Sequence, residues 1–300
     1  MYDASDPRAA LAAKPGKPSA THFAGAEYAR FHESPPQIVD AAGRTWLARG
    51  QNFVLAYTEA TPGAVLVREA EQHESVLLLP DVATSATIEA GAERVTSTGG
   101  VIVFVPPGPS RIVLPQGGRI VRLFTASAED LAARCINAAS YAAPHPNIPP
   151  FVPWPTPEGG CRLRAHSLDV AVEPGRFGRI FRGTTFMVNY LDPRHGPRDV
   201  TKLSPHHHDD FEQGSLALEG DFIHDLRWPW TTNMNEWRED EHARCPAPSL
   251  AVIPPPAIHT TRAIGPGLNQ LVDIFCPPRI DFASTPGWVL NAADYPMPQE

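Results

Sequence analysis

The sequence lacks three features: a long hydrophobic run, a cluster of basic residues and a closely spaced pair of cysteines. A membrane-spanning helix needs roughly 18 or more consecutive apolar residues, and no stretch comes near that length. Asp and Glu number 33 against 25 Lys and Arg, which gives a net charge of −8. Nucleic-acid binding requires a clustered basic surface. We therefore expect neither a membrane nor a nucleic acid as a partner.

The four cysteines are widely separated, and none of them forms a C-x-x-C pair. Such cysteines are typical of reduced thiols in a cytoplasmic protein. The first residues, MYDASDPRAALAAKPGKPSATHF, contain no basic region followed by an apolar stretch, so no signal peptide is predicted. Their richness in Ala, Pro and Lys predicts a tail, or an arm that crosses a partner subunit. We expect a cytoplasmic location.

Proline, in contrast, is abundant: 34 of the 300 residues are Pro and 22 are Gly. A Pro inside a helix removes a backbone donor and clashes with the preceding turn, so long helices are excluded. Because 42% of the residues are hydrophobic, the chain is also unlike a disordered Pro-rich sequence. The composition predicts a compact all-β protein of short strands and sharp turns.

Two regions of predicted short strands are separated by a helix and a proline-rich linker. Ser127 and Asp130 form a capping-box pattern, which predicts a helix over LAARCINAASYAA. Seven prolines between Pro144 and Pro157 predict an extended, stiff linker. We expect a tail over residues 1–25 and a first β-barrel over residues 26–126. A helix with a linker, over residues 127–160, leads to a second β-barrel over residues 161–285 and a C-terminal tail over residues 286–300.

The two strand regions resemble each other weakly. The sequence EQHESVLLL from Glu71 resembles EQGSLAL from Glu212, and VIVFVPPGPSRIVL resembles LAVIPPPAIHTTRA further along. In the second match Arg111 stands where the other copy has His259. Because both matches occur in the same order, we hypothesise an internal duplication.

The segment LSPHHHDDFEQGSLALEGDF carries the residues most typical of a metal site. Side chains alternate between the faces of a strand, so the even spacing of His206, His208 and Glu212 predicts one shared face. A slightly different alignment would put Gln213 at the acidic position, but parity favours Glu212. His259, which follows the apolar strand SLAVI and three prolines, is the candidate for a fourth ligand. Imidazoles and a carboxylate are natural ligands of a divalent transition metal.

The pattern H-x-H-x3-E-x7-G from His206 to Gly220, followed by P-x4-H ending at His259, resembles the two motifs of the cupin superfamily. With the first strand region included, the chain resembles a bicupin, which has two such barrels. The resemblance implies jelly-roll β-barrels and a metal held by His206, His208, Glu212 and His259. The Glu-to-Gly gap is one residue longer than in the commonest cupin motif, and Pro256 replaces the usual Gly of the second motif.

The first strand region departs further from that pattern. If Glu71 matches Glu212, then Val65 and Val67 stand in place of the two histidines and Arg111 in place of His259. Only the carboxylate is kept, so we expect a metal-free first barrel and one divalent metal per chain. Fe(II) is favoured, and Mn, Ni, Co or Zn would tolerate the same ligands.

Such a centre predicts a metal-dependent enzyme. Our leading hypothesis is an Fe(II)-type dioxygenase acting on a small hydroxylated, phenolic or enolisable organic acid. The alternatives are a non-redox metal cupin, such as an isomerase, lyase or decarboxylase, and a sugar- or small-molecule-binding bicupin with a structural metal. Fold-level resemblance does not choose between these functions.

Secondary candidates come from strand alternation after Gly220. If the hairpin turns there, Asp225 and Arg227 face the barrel interior and His224 faces outwards. Arg227 would then anchor an anionic substrate or form an ion pair, and Thr261 shares the face of His259. The segment Trp228–Cys245 carries three tryptophans and is a candidate lid or oligomer contact. We expect a small-molecule substrate, anionic if Arg227 binds it, and a homodimer or higher homo-oligomer.

Overall fold

The computed structural model describes residues 23–209 and 211–299. They form an almost entirely β-structure with two barrels of jelly-roll type, as the sequence predicts. Each barrel consists of a larger and a smaller sheet that face each other. The two larger sheets pack against one another, because one apolar face of each contributes to a shared core that includes Leu55, Tyr57, Leu216 and Leu250. Residues 1–22, which hold most of the expected N-terminal tail, lie outside the described part.

The first barrel is built mainly from ten strands. They are β2 (Ile38–Asp40), β3 (Gly43–Arg49), β4 (Phe53–Ala60), β5 (Ala64–Arg68), β6 (Ser75–Leu79), β7 (Ser85–Ala90), β8 (Glu93–Thr98), β9 (Val101–Val105), β10 (Ser110–Leu114) and β11 (Gly118–Thr125). The smaller sheet has the order β5-β10-β7-β8, and the larger one contains β9-β6-β11-β4-β3-β2. Every pair is antiparallel.

The second barrel contains most of the later strands. They are β13 (Arg179–Arg182), β14 (Met187–Tyr190), β15 (Arg194–His195), β16 (Gln213–Glu219), β17 (Asp221–Arg227), β18 (Glu241–Pro246), β19 (Ser249–Ile253), β20 (Ile258–Ala263) and β21 (Leu268–Phe275). The remaining later strand, β12 (Arg164–Ser167), joins the larger sheet of the first barrel. The smaller sheet has the order β18-β17-β20, and the larger one contains β19-β16-β21-β14-β13. Strand β15 pairs with β21.

Two strands are exchanged between the barrels. The first strand, β1 (Glu27–Arg30), pairs with β19 of the second barrel, and β12 pairs with β9 of the first barrel. Strand pairing therefore crosses the domain division that we predicted at both ends. The exchange joins the barrels through backbone hydrogen bonds as well as through their shared apolar core.

The helical part is smaller than the sequence predicts. Helix α1 spans only Glu129–Ala132, a 3-10 turn follows at Ala138–Tyr141, and Ser127 does not cap α1. Asp130 instead binds Arg68 of the first barrel. Asp130 therefore forms a salt bridge with Arg68 and does not make the interaction that the capping-box pattern predicted at the start of the helix. The remaining helical elements are α2 (Ile280–Ser284) and 3-10 turns at Phe31–Glu33, Met234–Glu236 and Ala292–Asp294.

The C-terminal segment is packed into the structure. Leu290 N donates to Ile180 O, and Tyr295 is buried in the core shared by the two barrels. The Arg182 guanidinium donates to Tyr295 O and lies over the ring of Trp154 from the proline-rich linker. The residues that we predicted as a tail thus help to hold the linker against both barrels.

Two buried glutamates make matching contacts across the barrel interface, and we call them the interface glutamates. Glu74 of the first barrel accepts hydrogen bonds from Thr184 N at 2.8 Å and Tyr295 Oη at 2.8 Å. Glu212 of the second barrel accepts from Gln51 N at 2.6 Å and Tyr141 Oη at 3.0 Å. Each barrel therefore supplies one carboxylate to the other.

Glycine permits this close approach in both places. Gly183 precedes Thr184 and Gly50 precedes Gln51, and a Cβ atom on either glycine would collide with the oxygen of the facing interface glutamate. Asn137 binds both the backbone N and O of Arg49, and Asn291 binds the same two atoms of Arg182. The two contacts are related by the internal duplication.

The duplication is also visible in the sequence, at positions outside the two matches that suggested it. R-G-x-x-F-x-x-x-Y occurs from Arg49 and again from Arg182, and N-A-A-x-Y occurs from Asn137 and from Asn291. The match that we drew from Glu71 is displaced by three residues, because Glu74 is the structural counterpart of Glu212. These motifs identify the interface between the barrels rather than a catalytic site.

Two expectations about the cellular compartment concern the cysteines and membrane-spanning helices. Cys135, Cys161, Cys245 and Cys276 are all free thiols, as predicted. No helix in residues 23–209 or 211–299 is long and apolar enough to cross a membrane.

Candidate metal centre

Three histidines converge at one end of the second barrel. Strand β20 carries His259, and His206 pairs with it through two backbone hydrogen bonds of 3.0 and 2.7 Å. With His208 they form a group in which one ring nitrogen from each histidine lies within 4.8 Å of the other two. The structure thus brings together all three histidines that the sequence assigned to a metal site.

Backbone carbonyls orient two of the three rings. His206 Nδ1 lies 2.9 Å from Ser204 O, and His259 Nδ1 lies 2.9 Å from Ala257 O. A carbonyl only accepts, so each Nδ1 carries the proton and Nε2 keeps a free lone pair. This arrangement presents Nε2 of both rings as metal ligands.

Burial keeps two of the imidazoles neutral. His208 is stacked on Phe211, with ring centroids 4.4 Å apart, and burial lowers its pKa to about 3. Burial likewise lowers the pKa of His259 to about 4. Only neutral imidazole binds a metal, so both rings are ready to do so at neutral pH. The donor set fits the divalent transition metal that the resemblance implied.

Glu212, in contrast, does not join the histidines. Its carboxylate makes the barrel-interface contacts with Gln51 and Tyr141. The parity argument assumed an extended chain from His208 onwards, but β16 begins only at Gln213. Alternation restarts there, and the even-numbered Leu216 and Leu218 face the neighbouring barrel. Burial raises the pKa of Glu212 to about 7.

Gln213 lies beside the histidines instead. Its Oε1 is 3.0 Å from His208 Nε2 and 3.4 Å from His259 Nε2. Its Nε2 donates to Ser215 Oγ and to Asp273 Oδ1, both at 3.0 Å. Gln213, Ser215 and Asp273 are all buried, and burial raises the pKa of Asp273 to about 6. The sequence carried this signal only as the alternative alignment at Gln213.

A pocket of about 300 Å³ leads from the surface to this cluster. His206, His259, Gln213 and Asp273 line its polar side. Apolar atoms come from residues that include Phe177, Leu191, Phe222 and Leu271. Since His206 is also exposed, a small molecule can reach the histidines.

Arginines line the outer part of the pocket. Arg176 pairs with Glu173. Arg198 donates to Thr261 O, Lys202 O and Ser204 Oγ, and no ion pair among the described residues involves Arg198 or Arg194. Burial and the neighbouring Arg194 lower the pKa of Arg198. The positive charges of Arg194 and Arg198 therefore face the pocket, and neither side chain forms an ion pair with a carboxylate of the described residues. Sequence reasoning missed both residues because the loop between β14 and β16 carries no recognisable motif.

Strand β17 has the opposite orientation to the one that we predicted. Phe222, His224 and Leu226 are buried. Asp225 binds His242 and Arg262 at the surface. Arg227 is exposed and pairs with Asp240, so it does not face the pocket. The prediction was wrong because it assumed that Glu212 faces the barrel interior and used that orientation to choose which residues of β17 face inwards.

Thr261 lies on the same side of β20 as His259 and lines the pocket. Its Oγ1 is 2.9 Å from Nδ1 of His224. Burial lowers the pKa of His224 to about 4, so this ring is a neutral hydrogen-bond partner inside the barrel. The predicted contact of Thr261 with a bound ligand stays a prediction.

The tryptophan-rich segment lies away from the histidine pocket. None of the residues 228–245 lines that pocket. Trp228 is buried, whereas Trp230 and Trp237 stack with centroids 4.6 Å apart on the surface. Arg238 donates to the backbone O of Phe23 and Ala24. The lid hypothesis is therefore not supported, and the oligomer contact stays a prediction.

The first barrel differs at the corresponding place. Val65, Val67 and Arg111, which we matched to the histidines, are exposed, so they do not line the barrel interior. The interior there contains Arg68, which pairs with Glu71, and the buried Arg122. Among the described residues, the group that could hold a metal lies in the second barrel.

Comparison with known proteins identifies the fold. No protein-family model matches the sequence, and no curated protein matches it. Oxalate decarboxylase from Lactobacillus farciminis, solved as a formate complex, is 14% identical and has a TM-score of 0.55; the match covers 87% of this chain and 88% of that one.

Two further solved structures agree with this likeness. AerE from Microcystis aeruginosa is 9% identical with a TM-score of 0.53, and the match covers 86% of this chain and all of that one. Vicilin from Corylus avellana is 13% identical with a TM-score of 0.51, over 83% and 85% of the two chains. At these identities the likeness concerns the fold. The chain has the bicupin fold that the sequence resemblance implied, with two barrels in one polypeptide and a histidine cluster in the second.

Proposed function

We propose that this protein is a metal-dependent enzyme that acts on a small organic acid. The observation that carries the proposal is the convergence of His206, His208 and His259 within 4.8 Å, with His206 and His259 lining an open pocket. A structural metal needs no such access, so the exposed ring of His206 favours an enzyme over a binding protein with a closed metal site.

The protein groups have separate tasks in this proposal. The three imidazoles hold one divalent ion per chain, and hydrogen bonds to backbone carbonyls keep the rings of His206 and His259 oriented. The bound ion would supply a Lewis-acidic centre with open coordination positions and, as Fe(II), the redox capacity of a dioxygenase. Arg194 and Arg198 bind the carboxylate of the substrate, and the apolar wall excludes water around it.

The reaction that we propose first is dioxygenation of a hydroxylated, phenolic or enolisable acid, with Fe(II) as the metal. The second candidate is a non-redox reaction, such as decarboxylation, with Mn(II) or another divalent ion. It is favoured by the small pocket and its two arginines without carboxylate partners, and by the fold shared with a protein named as an oxalate decarboxylase. Oxygen consumption separates the two reactions.

Metal content tests the centre itself. We expect one divalent metal per chain in the purified protein by elemental analysis, and none in the His206→Ala/His208→Ala variant. His207→Ala is the matched control, since His207 lies between the two ligands, is exposed and pairs only with Asp209. Metal content that is unchanged in the double variant would refute the centre.

Substrate tests follow with the loaded protein. Phenolic, diketone and dicarboxylic acids are screened for oxygen uptake and for carbon dioxide release. Arg194→Ala and Arg198→Ala should each raise KM about tenfold or more while metal content stays at one per chain. Arg227→Ala serves as the control, because Arg227 lies outside the pocket and pairs with Asp240. An equal effect of all three variants would contradict a substrate-binding role.

Self-association and a cytoplasmic location complete the proposal. The exposed side chains of Trp230, Met234 and Ile258 support a contact between copies of the chain. Light scattering should give a mass of at least two chains, and Trp230→Glu should reduce it to one. The free thiols support a reducing compartment.

A further inference from the structure

We propose that the amide oxygen of Gln213 is the fourth protein ligand of the metal and that Asp273 is the positioning residue that aims it. This inference rests on the proposed metal at His206, His208 and His259. It departs from the carboxylate ligand that the sequence motif implied, and it gives the buried Asp273 a defined task.

The distances at Gln213 match those between neighbouring ligands of one ion. Two ligands that each lie about 2.0–2.2 Å from a metal, at roughly 90–110° to one another, are about 2.8–3.6 Å apart. Gln213 Oε1 is 3.0 Å from His208 Nε2 and 3.4 Å from His259 Nε2. A metal that binds both rings through Nε2 is therefore within reach of this oxygen.

The orientation of the amide is determined by its partners. Gln213 Nε2 donates to Asp273 Oδ1 at 3.0 Å, and Ser215 Oγ donates to the same oxygen at 3.0 Å. A carboxylate accepts hydrogen bonds and repels a carbonyl oxygen, so the NH2 group must face Asp273 and the oxygen must face the histidines. Asp273 stands directly opposite Ser215 on the neighbouring strand, which keeps this geometry fixed by the sheet.

The charge of the centre changes with this ligand. Three imidazoles and a carboxylate would leave a divalent ion with one net positive charge, whereas an amide leaves both. The negative charge is instead placed one hydrogen bond away, on Asp273. A more positive centre attracts an anionic substrate more strongly, which agrees with the arginines at the pocket entrance.

The interface contacts explain why Glu212 is not the ligand. Glu212 makes the same kind of contacts as Glu74 in the first barrel, where no histidine cluster accompanies it. The carboxylate is therefore required between the barrels, and its neighbour Gln213 is left to face the metal.

Metal affinity, measured by competition with a chromogenic chelator for Co(II), tests the assignment without an activity assay. Asp273→Asn should weaken Co(II) binding about 10–100-fold, because an asparagine can hydrogen-bond either end of the amide. Gln213→Glu combined with Asp273→Asn exchanges the carboxylate and the amide between the two positions. This double variant should bind Co(II) at least as tightly as the unmodified protein.

The visible spectrum of bound Co(II) reports the ligand directly. We expect the band positions to shift in the Gln213→Glu/Asp273→Asn variant, since a carboxylate replaces an amide at the ion, and to stay unchanged in Glu212→Gln. Circular dichroism establishes that each variant is folded. If Asp273→Asn does not fold, Gln213→Ala takes its place, with the same expected loss of affinity.

Two results would overturn the inference. One is unchanged Co(II) affinity in both Asp273→Asn and Gln213→Ala. The other is a 10–100-fold loss in Glu212→Gln together with an unchanged spectrum in the exchanged variant. Failure of the proposed function is distinguishable, because the unmodified protein would then bind no more Co(II) than His206→Ala/His208→Ala.

Discussion

The two barrels share one frame but have different interiors. In both, a glutamate before a central strand crosses the interface to a backbone N–H beside a glycine and to a tyrosine hydroxyl: Glu74 in the first barrel and Glu212 in the second. On the strand that pairs with this central strand in the sheet, the residues that face inwards differ. Arg122 is buried in the first barrel and Asp273 in the second, each opposite the corresponding residue of its neighbouring strand.

This difference shows that two separate requirements act on neighbouring residues of the sequence: the contacts between the barrels and the chemistry of each barrel interior. The interface contacts are kept in both copies, because an unsatisfied buried carboxylate or N–H would destabilise either barrel. The interior positions are free to diverge. In the first barrel they contain Arg68 and Arg122, whose positive charge disfavours a cation, and in the second they contain histidines, Gln213 and Asp273.

The largest effect is expected when the second barrel receives the residue that the first barrel has at the corresponding position. Asp273→Arg places a guanidinium where Arg122 lies in the other copy, so it repels a divalent ion and removes the acceptor that orients Gln213. We expect a loss of metal affinity of at least about 100-fold. Chelator competition measures it, with thermal unfolding as the check that the variant is folded. Metal binding of normal strength would argue that the interior charge does not distinguish the barrels.

The interface glutamates should behave alike, although only one lies beside the metal. Glu74→Ala and Glu212→Ala each leave a buried backbone N–H and a tyrosine hydroxyl without an acceptor, and each should lower the free energy of unfolding by about 3 kcal/mol. Urea denaturation measures both effects, and the double variant should show their sum. A loss confined to Glu212→Ala would show that the two contacts are not equivalent.

The smallest effect is expected for the two tyrosine hydroxyls. Tyr141→Phe and Tyr295→Phe each remove one hydrogen bond to an interface glutamate while the carboxylate keeps its backbone donor. Each variant should lower the free energy of unfolding by about 1 kcal/mol. Metal content should stay at one per chain in both. Loss of the metal from Tyr141→Phe alone would tie the interface of the second barrel to its metal centre.

Much of the fold could be predicted from local sequence. The apolar run SLAVI, which we predicted as a strand, forms β19 (Ser249–Ile253), since short apolar runs between turn residues have few other conformations. The exchanged strands β1 and β12 could not be predicted, because their partners are more than 50 residues away in the sequence and pairing leaves no local pattern.

The candidate site was predicted in part, for a related reason. His206 and His208 were identified from their even spacing with Glu212, and His259 from the P-x4-H motif that follows. The choice between Glu212 and Gln213 depended on alternation across a segment that is not a strand. The same assumption reversed Asp225 and Arg227. Arg194, on the two-residue strand β15, and Arg198, on the loop that follows it, reach the pocket from a segment that no periodicity describes.

An all-β chain of two related halves, with histidines suited to bind a metal in the second, could be predicted from the amino-acid sequence. Those properties depend on residue type and short spacing, which proline density and strand alternation constrain directly. The carboxylate that serves the interface and the amide that faces the histidines are instead set by tertiary packing. A side chain's partner is set by the packing of strands distant in sequence, and a one-residue change in parity moves it to the opposite face.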